Sequence, residues 1–249
     1  MHPASIMEYH GSGYGGFFLP KEHGLTRDSV VYCVGVGEDV SFDLSVAAAA
    51  GCDVYLYDPT PRAITHVQRV HRALETGTLP AASVAKEDGG GIGEKYWHKF
   101  VLPLHGKVAS SQVHFAPLAI DVESDTRTFY PPRNPTHVSH SLVPPPGTVK
   151  KDGLKVQCTT LAEAMARNGH DHIDLLKLDI EGSEVGVIRD MLERRGIRPK
   201  YLCVDMDSIR QNMIGLGGRK LVAQLQSSPS FGYELLHTAN HDYTFRRKE

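Results

Sequence analysis

The sequence predicts an α/β fold: a mostly parallel sheet with helices on both faces and an antiparallel strand near the C-terminus. Three observations carry this. Apolar β-type runs alternate with helical ones, the pattern of a doubly wound sheet. Three of those runs stop abruptly on glycine or acid, at Gly35-Val36-Gly37-Glu38-Asp39, at Asp58-Pro59-Thr60-Pro61 and at Asp179 to Glu184. The chain then finishes in two strand-like runs joined by a link short enough for a hairpin. Open α/β sheets bind ligands at the carboxyl ends of their strands, so three such endings predict one shared site.

The first strand is Ser29 to Val34, and the helix after it, Ser41 to Ala50, rests on its alanines and closes at Gly51, which suits a left-handed cap. The second strand is Asp53 to Tyr57. Pro61 opens a helix reaching about Glu75, since proline in a first turn loses no hydrogen bond. Residues 76–111 carry no clear period. They contain Gly89-Gly90-Gly91, expected to be mobile, and Tyr96-Trp97-His98-Lys99-Phe100, expected to pack as a short helix on the core. The third strand is Gln112 to Leu118. After the proline-rich Pro131 to Pro146, Lys155 to Cys158 adds a short strand before the helix Thr160 to Arg167.

The fourth strand, Ile173 to Asp179, is apolar enough to lie in mid-sheet. Its helix, Ser183 to Arg195, puts Val185, Ile188, Met191 and Leu192 on one face and ends at Gly196. Tyr201 to Asp205 is the fifth strand, followed by the loop Ile214 to Gly218 and the helix Arg219 to Gln226. Tyr233 to Thr238 and Tyr243 to Phe245 form the final hairpin. No repeat interrupts the pattern, and 249 residues suit one domain, 1–249. Residues 1–28 form an N-terminal arm in which Tyr9 to Pro20 mixes glycines with Tyr14, Phe17 and Phe18. Two readings of it stay open, a lid over the site and simple packing against the sheet edge.

Composition narrows the function classes. Lys+Arg number 27 against Asp+Glu 29, so no excess of positive charge is available for a phosphate backbone and nucleic acid is not an expected partner. Cys33, Cys52, Cys158 and Cys203 lack CxxC spacing, and two lie inside strands as small apolar residues. No charged-then-apolar leader opens the chain and no apolar run approaches the ~20 residues that span a bilayer, so a reduced, cytoplasmic protein without a membrane partner is expected. Nothing in the pattern fixes an oligomeric state.

The turn VGVGEDVSFD places Gly35 and Gly37 where the chain bends sharply and a cofactor must approach the backbone. The third glycine of a dinucleotide fingerprint is missing, and Glu38 and Asp39 would repel a pyrophosphate at the helix end. The spacing to Asp58, at the next strand end, matches a carboxylate that accepts hydrogen bonds from the ribose of an adenosine cofactor. Pro59 lies beside it, and Leu118, Ala119 and Ile120 are expected to wall the adenine. The plainer reading of Asp58 is a cap on the helix at Pro61, a task Thr60 could also perform.

Taken together, GGFFLP, VYCVGVGEDVSFD, YLYDPTPRAI, VSHSL and DLLKLDIEGSE resemble the FkbM-type S-adenosylmethionine-dependent methyltransferases. The resemblance spans residues 15–245. It implies the Rossmann-like class I methyltransferase fold, seven strands in the order 3-2-1-4-5-7-6 with strand seven antiparallel. It also implies S-adenosylmethionine as cofactor and methyl transfer to oxygen on a small molecule or carbohydrate acceptor. Many class I methyltransferases carry an acid just before the first glycine to hold the methionine ammonium. Here Cys33 stands in that place, and Glu38 or Asp39 can substitute.

A hydroxyl acceptor needs a base or a metal. Asp179 is the candidate for the centre of the site, both as cofactor contact and as catalyst, with Glu181 beside it and His140 as a further candidate base; His137 is the alternative in the same segment. Lys177 shares the Asp179 face and can pair with a carboxylate. Glu184 reads as an ordinary acid at a helix start. Asp205 and Asp207, at the end of the neighbouring strand, could join Asp179 around Mg²⁺ or another divalent cation. His66 and His71 belong to the surface and packing histidines. Two other classes share parts of this pattern: an NAD-dependent oxidoreductase, which should prefer the third glycine, and a non-catalytic binding module on the same fold.

Overall fold

The structure, a computed structural model, describes residues 6–79, 93–130, 153–206 and 217–248. An N-terminal hairpin, β1 (Met7–His10) and β2 (Phe17–Pro20), precedes the main sheet. That sheet begins β3 (Val31–Val34), α1 (Ser41–Ala50), β4 (Val54–Tyr57), α2 (Pro61–Thr76). A short α3 (Glu94–Tyr96) runs on as a π-turn, Trp97–Val101, and leads to β5 (Val113–Ala116). A smaller set follows, β6 (Ala119–Ile120), β7 (Thr126–Phe129) and β8 (Leu154–Thr159), then α4 (Leu161–Asn168). The chain completes the sheet with β9 (Leu175–Leu178), α5 (Glu184–Arg189), β10 (Tyr201–Asp205), α6 (Gly218–Ser227), β11 (Tyr233–Ala239) and β12 (Asp242–Arg247).

The seven-stranded sheet has the order β11-β12-β10-β9-β3-β4-β5. Strand β12 pairs antiparallel with both β10 and β11, while β10, β9, β3, β4 and β5 pair in parallel. Counting the main strands from β3, this is the order 3-2-1-4-5-7-6. The terminal hairpin turns on Asn240, whose φ of +56° suits asparagine better than most residues.

Strand alternation sorts the core into two faces. Tyr32, Val34, Leu176 and Leu178 face α4, α5 and α6, packing with Ala164, Ile188, Met191 and Leu225. Val31, Cys33 and Leu175 face α1 and α2, with Phe42, Leu44, Val67 and the fully buried Trp97. Each buried aliphatic side chain of this kind contributes about 1.5–3 kcal/mol. Trp97 is thus the core-packed residue its patch led one to expect. His66, wedged against it with ring centroids 5.2 Å apart, is a packing histidine that burial holds near pKa 4.

Helix ends follow local chemistry. Gly51 closes α1 at φ +73°, donating to Ala47 O at 2.8 Å. Thr60 caps α2 by accepting from Ala63 N, with Pro61 in the first turn. The expected third strand is cut short: Pro117 has no N–H to give a ladder, so β5 stops at Ala116 and the chain restarts as β6 in the smaller sheet, order β6-β8-β7. The last part of the helix expected to reach Arg195 widens into a π-turn at Asp190–Arg194. All four cysteines are buried and unbridged. Among the described residues no helix is long and apolar enough to cross a membrane. The glycines at 89–91 and the whole of 131–146 lie outside the described residues.

Candidate active site

The carboxyl ends of β3, β4 and β9 open into one cleft. Gly35, Gly37, Glu38 and Asp39 line it from the first strand end, Asp58, Pro59 and Thr60 from the second, and Asp179, Ile180 and Glu181 from the third. Ala119 and Ile120 form an apolar wall, whereas Leu118 packs against the core beneath. Phe129 and Tyr14 complete the lining. Tyr14 belongs to the arm for which a lid over the site was one of two readings, whereas Phe129 was not singled out in the sequence. Phe129 sits in β7, where only the brief alternation of TRTF hints at a strand.

The glycine turn is built around two constraints. Gly35 has φ +82°, and a Cβ there would sit 1.7 Å from Asp179 O, so any side chain would drive β3 and β9 apart. Gly37, at φ +53°, donates its N–H to Asp58 Oδ2 at 2.8 Å. The other Asp58 oxygen accepts from Thr60 N at 2.8 Å and Thr60 Oγ1 at 2.6 Å. Thr60, not Asp58, caps α2, which leaves the carboxylate to tie two strand ends together at the cleft. Three donors on its inner side still leave about one of its four acceptor positions for a ligand.

The acids after Gly37 have separate partners. Glu38 forms an ion pair with Arg62 at 2.5 Å. Asp39 accepts from Ser41 N at 2.9 Å and from the Ser12 hydroxyl. Tyr96 OH accepts from Val40 N at 2.8 Å and also bonds Asp39. Asp39 is therefore a junction between the N-terminal hairpin, α1 and the segment at Tyr96, as well as part of the cleft wall. Sequence reasoning missed Ser12, a serine between glycines with no period or motif to mark it.

Lys177 is 1% exposed yet reaches the cleft lining. It pairs in register with Cys33 and faces Asp43 of α1. Burial opposes its charge, but Asp43, Asp179 and Asp39 outweigh that and hold its pKa above the usual lysine range. The sequence suggested that Lys177 could pair with a carboxylate, and the charges of Asp43, Asp179 and Asp39 act on it together. Among the described residues lining the cleft, Lys177 is the one lysine or arginine.

Glu184 is no ordinary surface acid at a helix start. It is fully buried, its Oε1 accepts from Gly182 N at 2.8 Å, and burial together with the charges of Asp179 and Asp205 pushes its pKa up to about 8. A raised acid pKa favours the protonated folded state, so its contribution to stability is complete below about pH 4.5 and disappears as pH rises through about 8. The Glu184→Gln protein should accordingly gain on the parent by a few kcal/mol between about pH 6 and 9. Thermal melts of both proteins across that range check this. A constant difference in melting temperature would mean that Glu184 holds no proton.

Of the proposed cation ligands, Asp179 lines the cleft and Asp205 does not, while Asp207 lies outside the described residues. Among the described residues no group of three or more His, Cys, Asp or Glu could hold a metal ion. The charges of Asp179 and Asp205 both act on the buried Glu184. His137 and His140 also lie outside the described residues.

The profile of the methyltransferase FkbM domain matches residues 29–234. A solved structure of methyltransferase FkbM from Methylobacillus flagellatus KT is similar at 12% identity and a TM-score of 0.45, over 89% of this chain and 44% of that one. The chain thus spans less than half the length of that protein. No curated protein matches it.

Proposed function

The chain belongs to the FkbM methyltransferase family, and we propose that it uses S-adenosylmethionine to methylate a hydroxyl oxygen of a small molecule or sugar. The observation that carries this reading is Asp58, fixed by Gly37 N and Thr60 at the ends of two adjacent strands with its carboxylate in the cleft. Methyltransferases generally use this cofactor, and the donor set fits it. In this reading Asp58 accepts from the ribose, Ala119 and Ile120 cover the adenine, and the side-chain-free turn at Gly35 and Gly37 admits close contact with the backbone.

Bound there, S-adenosylmethionine supplies a methyl group on a sulfonium, which becomes a neutral thioether as the new C–O bond forms. The chain's own residues position the acceptor and take its proton. Asp179, at the cleft end of β9, is the group for the proton, which moves from the hydroxyl to its carboxylate oxygen. Lys177, charged and two residues earlier on the same strand face, favours the ionised form of Asp179 that this needs. Glu181, at φ +54°, lines the same end and is a second acid for acceptor contact.

An oxidoreductase reading has less support. A dinucleotide's pyrophosphate would meet Glu38 and Asp39 with Lys177 as the one basic side chain among the described lining residues. Isothermal titration with S-adenosylhomocysteine and with NAD separates these readings. Binding of the former alone is expected. NAD binding without S-adenosylhomocysteine binding would overturn the proposal, and cofactor binding without turnover on any sugar or small-molecule hydroxyl would favour a non-catalytic module.

A further inference from the structure

We propose that the Tyr14 ring forms the wall of the cleft at the sulfonium of bound S-adenosylmethionine, held in place by a latch between Ser12 and Asp39. This rests on the methyl-donor reading above and adds to it the chain's own means of telling the charged cofactor from its neutral product.

The position of the hairpin decides which end of the cleft Tyr14 serves. Strands β1 and β2 pack beside α1: His10 Nδ1 lies 2.9 Å from Ser45 Oγ, Ser12 N donates to Ser41 Oγ at 2.7 Å, and Phe17 meets Phe42 edge-on at 5.5 Å. On its other side the hairpin accepts a hydrogen bond from β12, Thr244 Oγ1 to Phe18 O at 2.7 Å. In the sheet order, β12 and β10 lie on the β9 side of β3, opposite β4 and its Asp58. The hairpin tip therefore enters the cleft from the Asp179 side. A cofactor whose ribose sits on Asp58 directs its sulfur end that way. Phe129, by contrast, comes from the smaller sheet that follows β5 and serves the adenine half.

The tip is rigid at the backbone. A Cβ on Gly11, at φ +96°, would meet Phe42 N at 2.8 Å, and one on Gly16 would meet His10 O at 2.4 Å. Ser12 Oγ accepts from Tyr14 N at 3.0 Å and Gly15 N at 3.3 Å while its hydroxyl donates to Asp39. Gly15 lies directly on that carboxylate, since its Cβ would stand 3.2 Å from Asp39 Oδ2. This junction joins the tip to the glycine turn itself. Of the two readings of the arm, packing describes its strands, while its tip contributes to the site. Tyr14 is 76% exposed and is among the residues that line the cleft.

A sulfonium is a cation without a polarised N–H or O–H, so hydrogen-bond acceptors cannot read it in the usual way. An aromatic face and nearby carboxylates can. The carboxylates of Asp39, Asp179 and Glu181 are in the same cleft, and Tyr14 adds the aromatic face.

The test uses S-adenosylmethionine and S-adenosylhomocysteine as titrants against the parent, Tyr14→Ala and Tyr14→Phe proteins, with thermal melts to confirm the fold. Tyr14→Ala should weaken S-adenosylmethionine by roughly three- to tenfold, on the scale of a partly exposed cation–π contact, and S-adenosylhomocysteine by less than about twofold. Tyr14→Phe should bind both as the parent does. Ser12→Ala, which releases the latch, should show the same selective loss. Equal losses for the two ligands, or none, would overturn the inference while leaving the cofactor assignment standing. If the parent binds neither ligand, the methyl-donor reading fails and takes the inference with it.

Discussion

Replacing Asp179 by Asn is expected to lower methyl transfer by roughly 100- to 10,000-fold, the range that general base catalysis supplies. The substitution keeps the size of the side chain and leaves the backbone bond from Asp179 N to Val34 O at 3.0 Å untouched. Folding and affinity for S-adenosylhomocysteine should therefore change little. The measurement is single-turnover methyl transfer on a hydroxyl acceptor beside a titration of the same protein. Chelation separates the two roles an acid can have here. Activity unaffected by EDTA leaves Asp179 as base, the outcome favoured by a cleft that Asp205 does not line. Activity abolished by EDTA and restored by Mg²⁺ would make Asp179 a cation ligand instead. Full turnover by Asp179→Asn would remove it from the chemistry altogether.

Most of the sheet could be read from the sequence because its signals are local. The apolar runs at Val31–Val34, Leu175–Leu178 and Tyr201–Asp205 are buried along nearly their whole length, and Gly51, Thr60-Pro61 and Gly196 stand at the helix ends where backbone chemistry requires them. The order of the seven strands was an expectation of the resemblance, and the observed pairing has it. What was not legible depends on contacts between distant segments. Strand β7 is defined by its pairing with β8, Thr126 with Gln157 through Phe129 with Leu154, and nothing within TRTF alone requires that partner. For the arm that holds the hairpin Met7–Pro20, the sequence left a lid and packing against the sheet edge both open, because its docking depends on Ser41, Ser45 and Thr244, far along the chain.

The site shows the same division. Gly35, Gly37, Asp58 and Asp179 stand at strand ends, where a sequence pattern marks them, and the cleft brings them together. The character of Glu184 was misjudged for a physical reason: acids at helix starts are usually solvated, and only the packing of α5 against β9 and β10 removes this one from water. Glu38 and Asp39 both line the cleft, and each also has a partner from another element, Arg62 and the Ser12 hydroxyl, which the glycine turn alone does not announce.

The second large effect is expected at Asp58. Its removal in Asp58→Ala should weaken S-adenosylhomocysteine by roughly 10- to 150-fold, the equivalent of about 1.5–3 kcal/mol for charge-assisted hydrogen bonds to the ribose. The same carboxylate also receives Gly37 N, Thr60 N and Thr60 Oγ1, so part of any loss could come from a loosened turn. A lower melting temperature would report that part. Comparing S-adenosylhomocysteine with its 2′,3′-dideoxy analogue on both proteins isolates the rest, as a double-mutant cycle does for two side chains. The parent should prefer the ligand with both hydroxyls, and Asp58→Ala should bind the two alike, because the group that read the hydroxyls is gone. A preference that survives the substitution would mean that Asp58 only props the glycine turn, and that the ribose, if bound here, is read by another residue.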